Sequence, residues 1–369
     1  MTQGKQDHVF GAQRRSAIVA MIEAHGVVRI GDIVREFGVS RKTALRDLDL
    51  LDSEGRVDKV HGGAVAVVAT PPATSDEPTT APADHTGPTI GIVLPVVGHH
   101  NRTILRGAES VLQSHGAAVT VSTTGWTATA GPSTQIDELV GAGVAGLLVR
   151  PAPVPDDAYG VVRDWVERPP VPTVLIEDEP TATEQSAVWT VGTDDHRGVA
   201  TSLRHLHDLG HRRIMLVTDG GAPRSREIRR LWRFCLQDAG LDDDLPVIDG
   251  ATTPGWPLPT TTATDAILET LRTAEASAVV CHNDVPAFAI ADRARRQGWS
   301  IPGDLSIVAY EDRVSTRATN PLTAVVLPGY DVGRVAAQAL LEQIDAPQRR
   351  PRHIRIQPEF VNRASTGAV

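Results

Sequence analysis

AVVCHNDVPAFAIADRARRQGWSIPGDLSIVAYED, residues 278–312, passes from a short apolar run through an amphipathic stretch and a Gly/Pro turn into a second apolar run. Short apolar runs separated by a helix read as parallel strands covered on both faces. The alternation continues in both directions. TIGIVLPVV (89–97), AVTVSTT (118–124), GLLVRPA (146–152), TVLIED (173–178) and RIMLVTD (213–219) come before it, and TAVVLP (323–328) comes after. Repeated βα units define an α/β class with parallel sheets. Residues 89–366 hold too many strands for one compact sheet, so two similar lobes are expected. Lobe 1 is placed at about 89–192 and 325–350, and lobe 2 at about 193–324 and 351–366.

Upstream the pattern changes. Thr70–Pro88, TPPATSDEPTTAPADHTGP, is dense in Pro, Thr, Ala and Asp and offers almost nothing to a core. Such composition stays extended, so 67–88 is read as a disordered linker. Before it, Ile18, Met21 and Ile22 mark one short helix, and Ile33, Val34 and Phe37 a second that stops at Gly38. Ser40 stands as an N-cap for a third, RKTALRDLDLLDSEG, whose Ala44, Leu48 and Leu51 form an inward stripe. RVDKVHGGAVAVV then reads as two short strands around Gly62-Gly63. Three short helices followed by a β-wing, here within residues 1–66, are the layout that sets a helix in the DNA major groove. With the stripe facing in, Arg41, Lys42, Leu45, Arg46 and Asp49 face out. Arg46 suits a base contact, because a guanidinium can pair both acceptors of guanine. Arg41 and Lys42, at the helix N-terminus, suit phosphates, beside Ser40 and Thr43. Lys59 and His61 on the wing are placed to reach a neighbouring groove or backbone.

Composition agrees with an ordinary soluble chain: 41% apolar and 22% charged over 369 residues. No stretch approaches the ~20 apolar residues of a membrane helix. The first residues, MTQGKQDHVFGAQRR, lack the apolar run of a secretory signal, so a cytoplasmic protein is expected. The net charge of −9 is uneven: residues 1–64 hold ten Lys/Arg against nine Asp/Glu, a net of +1. An acidic bulk with a locally basic module is compatible with DNA binding, since only the docking face must be positive. Cys235 and Cys281 are too few and too far apart for a disulfide framework or a zinc site.

VSRKTALRDLDLLDSEGRVDKVHGGA (39–64) resembles the DeoR-type winged helix-turn-helix, with its VS..T..RDL..L...G and terminal HGGA. The resemblance covers about residues 13–66. Leu45 departs from it, standing where that family commonly carries the first of two adjacent arginines; an exposed leucine there would meet a thymine methyl.

TIGIVLP, VGTDDHRGVATSLRHLHDLGHRRI (191–214), the 281–312 segment, NPLTAVVLPGYDVGRVAAQALLEQI (320–344) and the terminal VNRAST (361–366) occur in the order and spacing of the LacI family's effector-binding domain. That domain is itself similar to periplasmic sugar-binding proteins. The resemblance implies a cleft between lobes for a small polar effector, a sugar or sugar derivative, lined by residues at the strand ends. It assigns Asp194 to the turn between lobes, Asn283 and Asp284 to the end of the CHND strand, Glu311 to the place of the usual Asp, and His100 and Asn101 to the loop after the first strand. The family's effector-gripping arginine falls on Ile228, four residues before Trp232, so Arg229 is the nearest substitute. The family's own DNA-binding head and hinge helix are replaced here by the DeoR-type module and the linker.

Together these readings predict a transcriptional regulator, a repressor by resemblance, that acts as a homodimer on double-stranded operator DNA under control of a carbohydrate-like effector, without enzymatic activity, metal, cofactor or membrane. The alternatives are a cytoplasmic solute-binding protein and a regulator whose effector site has decayed into a dimerisation domain. An enzyme working on a sugar in the cleft is disfavoured because adjacent carboxylates such as Asp194–Asp195 and Glu311–Asp312 point to opposite sides. GAGVAG (141–146) matches G-x-G-x-x-G but follows a helix and precedes a strand, the reverse of a dinucleotide site. His205, His207 and His211 are read as structural, because positions two apart on a helix point apart.

Overall fold

The computed structural model describes residues 14–15, 17–19, 21–22, 27–53, 57–60, 63–66, 87–95, 99–124, 133–151, 169–178, 188–218, 223–241, 244–249, 261–312, 315–317, 321–346 and 349–369. Nearly all of the expected linker, 67–86, lies outside them. Gly87 donates its N–H to the Gly116 carbonyl, and the Pro88 carbonyl accepts from Ala118 (both 3.1 Å). The large domain therefore begins two residues before the expected boundary.

In the N-terminal module, helical residues 14–15, 17–19 and 21–22 lead to β1 (Val27–Arg29), α1 (Ile30–Phe37), α2 (Arg41–Ser53), β2 (Val57–Val60) and β3 (Gly63–Ala66). Gly38 takes φ +61° and ends α1. Ser40 Oγ then accepts the Thr43 N–H at 3.1 Å, the N-cap of α2. The expected inward stripe Ala44, Leu48 and Leu51 is fully buried with Ile18, Ile22, Ile33 and Val57. One element was not read from sequence: β1 pairs antiparallel with β3, which also pairs β2, giving a three-stranded wing sheet in the order β1-β3-β2.

The large domain contains two six-stranded sheets. The first joins β4 (Thr89–Pro95), β5 (Ala118–Thr124), β6 (Gly146–Val149), β7 (Thr173–Ile176), β8 (Trp189–Thr193) and β14 (His353–Ile356) in the order β14-β8-β7-β6-β4-β5, all parallel. The second joins β9 (Ile214–Thr218), β10 (Ile248–Asp249), β11 (Ala278–Cys281), β12 (Ser306–Tyr310), β13 (Thr323–Val326) and β15 (Glu359–Val361) in the order β10-β9-β11-β12-β13-β15, parallel except for β15. The two orders are the same. Helices α3 (His99–Ser114), α4 (Ser133–Gly141) and α9 (Gly329–Asp345) flank the first sheet. Helices α5 (Asp195–Asp208), α6 (Pro223–Asp238), α7 (Thr261–Thr273) and α8 (Asp284–Arg296) flank the second. Each sheet is covered on both faces by apolar side chains.

The lobe boundaries differ from those expected. The β13 strand stays with the second sheet, so the chain returns to lobe 1 only at about 327–328. The β14 strand pairs with β8, so lobe 1 runs on to 356 before β15 goes back. The HIRI strand is a half-exposed edge strand and gives no long apolar run.

In lobe 1, α3 and α9 meet with almost no space between their backbones. A Cβ on Gly107 would overlap the Tyr330 carbonyl oxygen, and one on Gly333 the Ile104 carbonyl oxygen. Neither helix can move aside without disturbing the sheet beneath. Gly107→Ala is therefore expected to destabilise the large domain by about 1–3 kcal/mol, as overpacking does. Gly141→Ala, whose Cβ meets nothing within 4 Å, should shift stability by less than about 0.5 kcal/mol. Thermal melts of the two variants side by side check both values.

Candidate DNA-recognition face and interlobe cleft

On α2 the apolar stripe faces inward and leaves Arg41, Lys42, Arg46 and Asp49 exposed. Leu45 is half-buried and packs against the module's core, so it presents less to solvent than its sequence position suggested. The Ser40 oxygen caps the helix and also lies 2.9 Å from the Thr43 hydroxyl. Lys59 lies on β2, and His61 lies outside the described residues. The structure adds a residue that periodicity could not assign. Asp47 is buried, and its carboxylate pairs with Arg14 at 2.6 Å and Arg15 at 3.6 Å from the preceding helix. That ion pair ties α2 to the first helical segment and gathers Arg14, Arg15, Lys42 and Arg46 around one concavity. Four cations around one carboxylate leave a positive surface suited to a phosphate backbone.

The large domain's site follows from topology. In each sheet the chain runs to one side, from β4 to β5 and from β9 to β10, then crosses to the other side, at β6 and β11. Ligand crevices form outside the C-terminal strand ends at such switch points. The residues there are His100 and Asn101 after β4, Arg150 after β6, Arg224 after β9, and Asn283 and Asp284 after β11.

His100 and Arg224 converge on Glu177, the first residue after β7, and Arg150 is near enough to feel its charge. Its side chain is only 2% exposed, yet it accepts four hydrogen bonds. These come from His100 Nε2 (2.8 Å), the Thr193 hydroxyl (2.7 Å), the Thr193 N–H (3.0 Å) and Arg224 (2.7 Å). Arg224 belongs to lobe 2, so this ion pair spans the cleft. The same guanidinium lies 3.5 Å from Asp195, whose carboxylate accepts the Tyr310 hydroxyl at 3.0 Å. Burial alone would push the Glu177 carboxyl up, but the Arg224 charge and the His100 hydrogen bond outweigh it and hold it well below the usual range. Burial pushes Asp195 up to about 6 against the pull of Arg224. Burial also lowers His100 despite Glu177, so the imidazole is neutral at pH 7. Arg150 is desolvated, with Glu177 favouring its charge and Arg224 opposing it; it donates to the Asn101 amide oxygen.

Glu177 and Glu311 both hold a positive φ, 56° and 138°, just past the ends of β7 and β12. Backbone strain of this kind in non-glycine residues gathers at functional sites.

The residues expected to bind an effector do not all reach this centre. His100 and Asn101 do. The Asp194 side chain caps α5 by accepting the Arg197 N–H at 2.9 Å, and its neighbour Asp195 is the carboxylate that faces Arg224. Asn283 caps α8 through Val285 N–H (2.9 Å) and donates to Glu311 (3.0 Å). Asp284 is fully buried in the first turn of α8. Arg229 is a correction: it bonds Thr218 and Asp249 within lobe 2 rather than Glu177. Ile228 and Trp232 are core residues. Glu177, Tyr310, Arg150 and Arg224 were not singled out from sequence, and Asp195 was named only as the neighbour of Asp194. For Arg224 a signal existed, because it lies one helical turn before Ile228 and so on the same face of α6.

His211 bonds Ser277, Ser306 and the Gly367 carbonyl, and His205 bonds Thr366. Their roles fasten the C-terminal segment to lobe 2. GAGVAG forms the turn between α4 and β6, with φ +81° at Gly143. Both cysteines are buried thiols held above their ordinary range by burial. Among the described residues no helix is long and apolar enough to cross a membrane, and no group of His, Cys, Asp or Glu is arranged to hold a metal.

Two family models match the chain: a DeoR-like helix-turn-helix domain over residues 14–70 and a periplasmic binding protein-like domain over 203–366. The chain is 28% identical over 353 residues to the arabinose metabolism transcriptional repressor of Geobacillus stearothermophilus, covering 91% of this chain and 90% of that protein. Its fold is similar to that of the transcriptional regulator CelR in complex with cellobiose (TM-score 0.63, 20% identity, 98% of this chain and 100% of that one). It is also similar to the lac repressor dimer bound to operator and the anti-inducer ONPF (TM-score 0.64, 20% identity, 76% and 94%). The chain thus joins a DeoR-like helix-turn-helix domain to a periplasmic binding protein-like domain, and relatives that match it over nearly the whole length are transcriptional repressors.

Removing the Glu177 charge would leave Arg224 buried between lobes with only Asp195 to compensate. Glu177→Gln is expected to cost about 3 kcal/mol at pH 7, as breaking a buried pair does. A carboxylate held low contributes stability above its ordinary pKa and loses it as pH falls through the folded value. The gap between wild type and variant in urea titrations should therefore be full at pH 7 and narrow in acid, below pH 4.5.

Proposed function

We propose that this protein is a cytoplasmic repressor that reads double-stranded operator DNA with α2, as a homodimer, and is controlled by a small polar effector bound between its two lobes. The observation that carries the reading is the presence, in one chain, of two parts. One is a helix whose outward cations are fixed by a buried Asp47–Arg14 pair. The other is a two-lobed domain whose strand ends converge on a charged cleft. The kinship with the arabinose repressor and the fold shared with sugar-complexed regulators support a carbohydrate-like effector. Arg46 is assigned to a base edge, Arg41 and Lys42 to phosphates, with Arg14 and Arg15 added beside them. Lys59 and His61 are assigned to the wing contact. His100 and Asn101 are assigned to the effector, with Asn283, Glu311 and Asp284 forming the lobe 2 wall. No catalytic role is assigned; the central carboxylates, Glu177 and Asp195, are engaged by intramolecular donors.

Effector binding would change the balance of the cleft between open and closed forms, and with it the population competent for DNA. Control of the dimer arrangement is the favoured route.

Fluorescence anisotropy on DNA upstream of the coding region, with excess nonspecific competitor, tests the reading. Wild type should resist competitor and weaken as salt rises. Arg46→Ala should lose about 1–3 kcal/mol of binding, with relaxed specificity. Failure to retain any genomic fragment, with or without candidate effectors, would overturn it in favour of a solute-binding protein.

A further inference from the structure

The cleft's hydrogen-bonding inventory is uneven. Most of its acceptors are engaged among the described residues. Glu177 already takes four donors, and Asp195 takes Tyr310 and faces Arg224. Asp194 caps α5, and the Asn283 amide oxygen caps α8 while its nitrogen donates to Glu311. The Asn101 oxygen accepts from Arg150, and its nitrogen donates to the Pro95 carbonyl.

Donors remain. Of the Arg224 guanidinium, Nη2 bonds Glu177 and Nε faces Asp195, but Nη1 is buried and meets no acceptor among the described residues. Buried N–H donors are rarely left this way unless something else binds there. Arg150, the other desolvated guanidinium, donates to a neutral amide, that of Asn101, and is close enough to feel the Arg224 charge. The two lie on opposite lobes, after β6 and in the first turn of α6.

A neutral sugar hydroxyl both gives and takes a hydrogen bond, so it needs acceptors as well as donors from its site. A carboxylate or phosphate only accepts. Building on the effector-cleft reading above, we infer that the effector is an anionic sugar derivative. Its oxyanion joins the lobes by accepting from Arg224 Nη1 and Arg150. Arginine suits this task because its fork matches carboxylate and phosphate geometry. Sugar acids and sugar phosphates share the chemistry, and the experiment separates them.

Isothermal titration calorimetry of the full chain would compare D-gluconate, D-glucuronate, L-arabinonate, D-glucose 6-phosphate and D-ribose 5-phosphate with D-glucose, L-arabinose and D-ribose. Inorganic phosphate serves as the bare-anion control. At least one acid or phosphate ester should bind ten-fold or more tightly than its neutral parent and than inorganic phosphate. Arg224→Met should reduce that binding at least ten-fold, and Arg150→Met should reduce it in the same direction. Arg224→Lys, which keeps the charge, should retain part of the preference and serves if the Met variant does not fold. The inference is overturned if a neutral parent binds as well as its acid, if no anion binds, or if Arg224→Met leaves the affinity unchanged. Operator anisotropy run in parallel keeps the two readings apart. Specific DNA binding lost in Arg46→Ala, with no anion bound, sinks the ligand class alone, whereas absence of specific DNA binding sinks the regulator reading.

Discussion

A carboxylate taken out of water must be solvated by the protein, and Glu177 finds four donors drawn from three separate elements and both lobes. Much of the large domain's geometry follows from that requirement. The α3 helix must begin where His100 can reach inward, β8 must end with Thr193 alongside, and α6 must start with Arg224 projecting across the cleft. A buried pair of this kind is weak evidence for net stability, since desolvation offsets much of the attraction. Its effect is to fix one arrangement of the lobes, because any other leaves a charge buried and unpaired. Parting the lobes therefore means breaking an ion pair already in place.

The small module uses the same device at lower stakes. Asp47 sits among the inward residues of α2, where periodicity would place an apolar side chain, and two arginines from the first helical segment answer it. The pairing sets the rotation of α2 on its support and so decides which of its residues face outward. Arg46, one position earlier, has its direction fixed by a neighbour that never leaves the core.

Features that depend on many residues were readable in the sequence. The inward stripe of α2, the Ser40 cap and the repeated strand–helix alternation each rest on spacing that burial enforces over a whole element. The β1 strand, VVR, and the β14 strand, HIRI, were not legible because three or four residues at a sheet edge carry no periodic signal. The cleft was legible as a place and less so as a set of atoms. Asp194 and Asp195 are adjacent, and only the capping geometry of α5 decides which carboxylate turns to the cleft. Arg224 and Arg229 are both arginines on one helix, and a difference of five residues sends one across the lobes and the other to Asp249. Such choices are made by tertiary neighbours far away in sequence.

The chain's passages between lobes also bear on how the protein is made. Lobe 1 lacks its edge strand until β14 pairs with β8, and about 160 residues separate the two. At roughly 5–20 residues per second on the ribosome, β8 emerges ~8–32 s before its partner. The DNA-binding module, contiguous in sequence, can be complete long before that. A nascent chain would therefore carry a finished DNA-reading head while the domain that governs it still exposes an unpaired strand, which makes the interval after β8 the period of greatest exposure to misassembly.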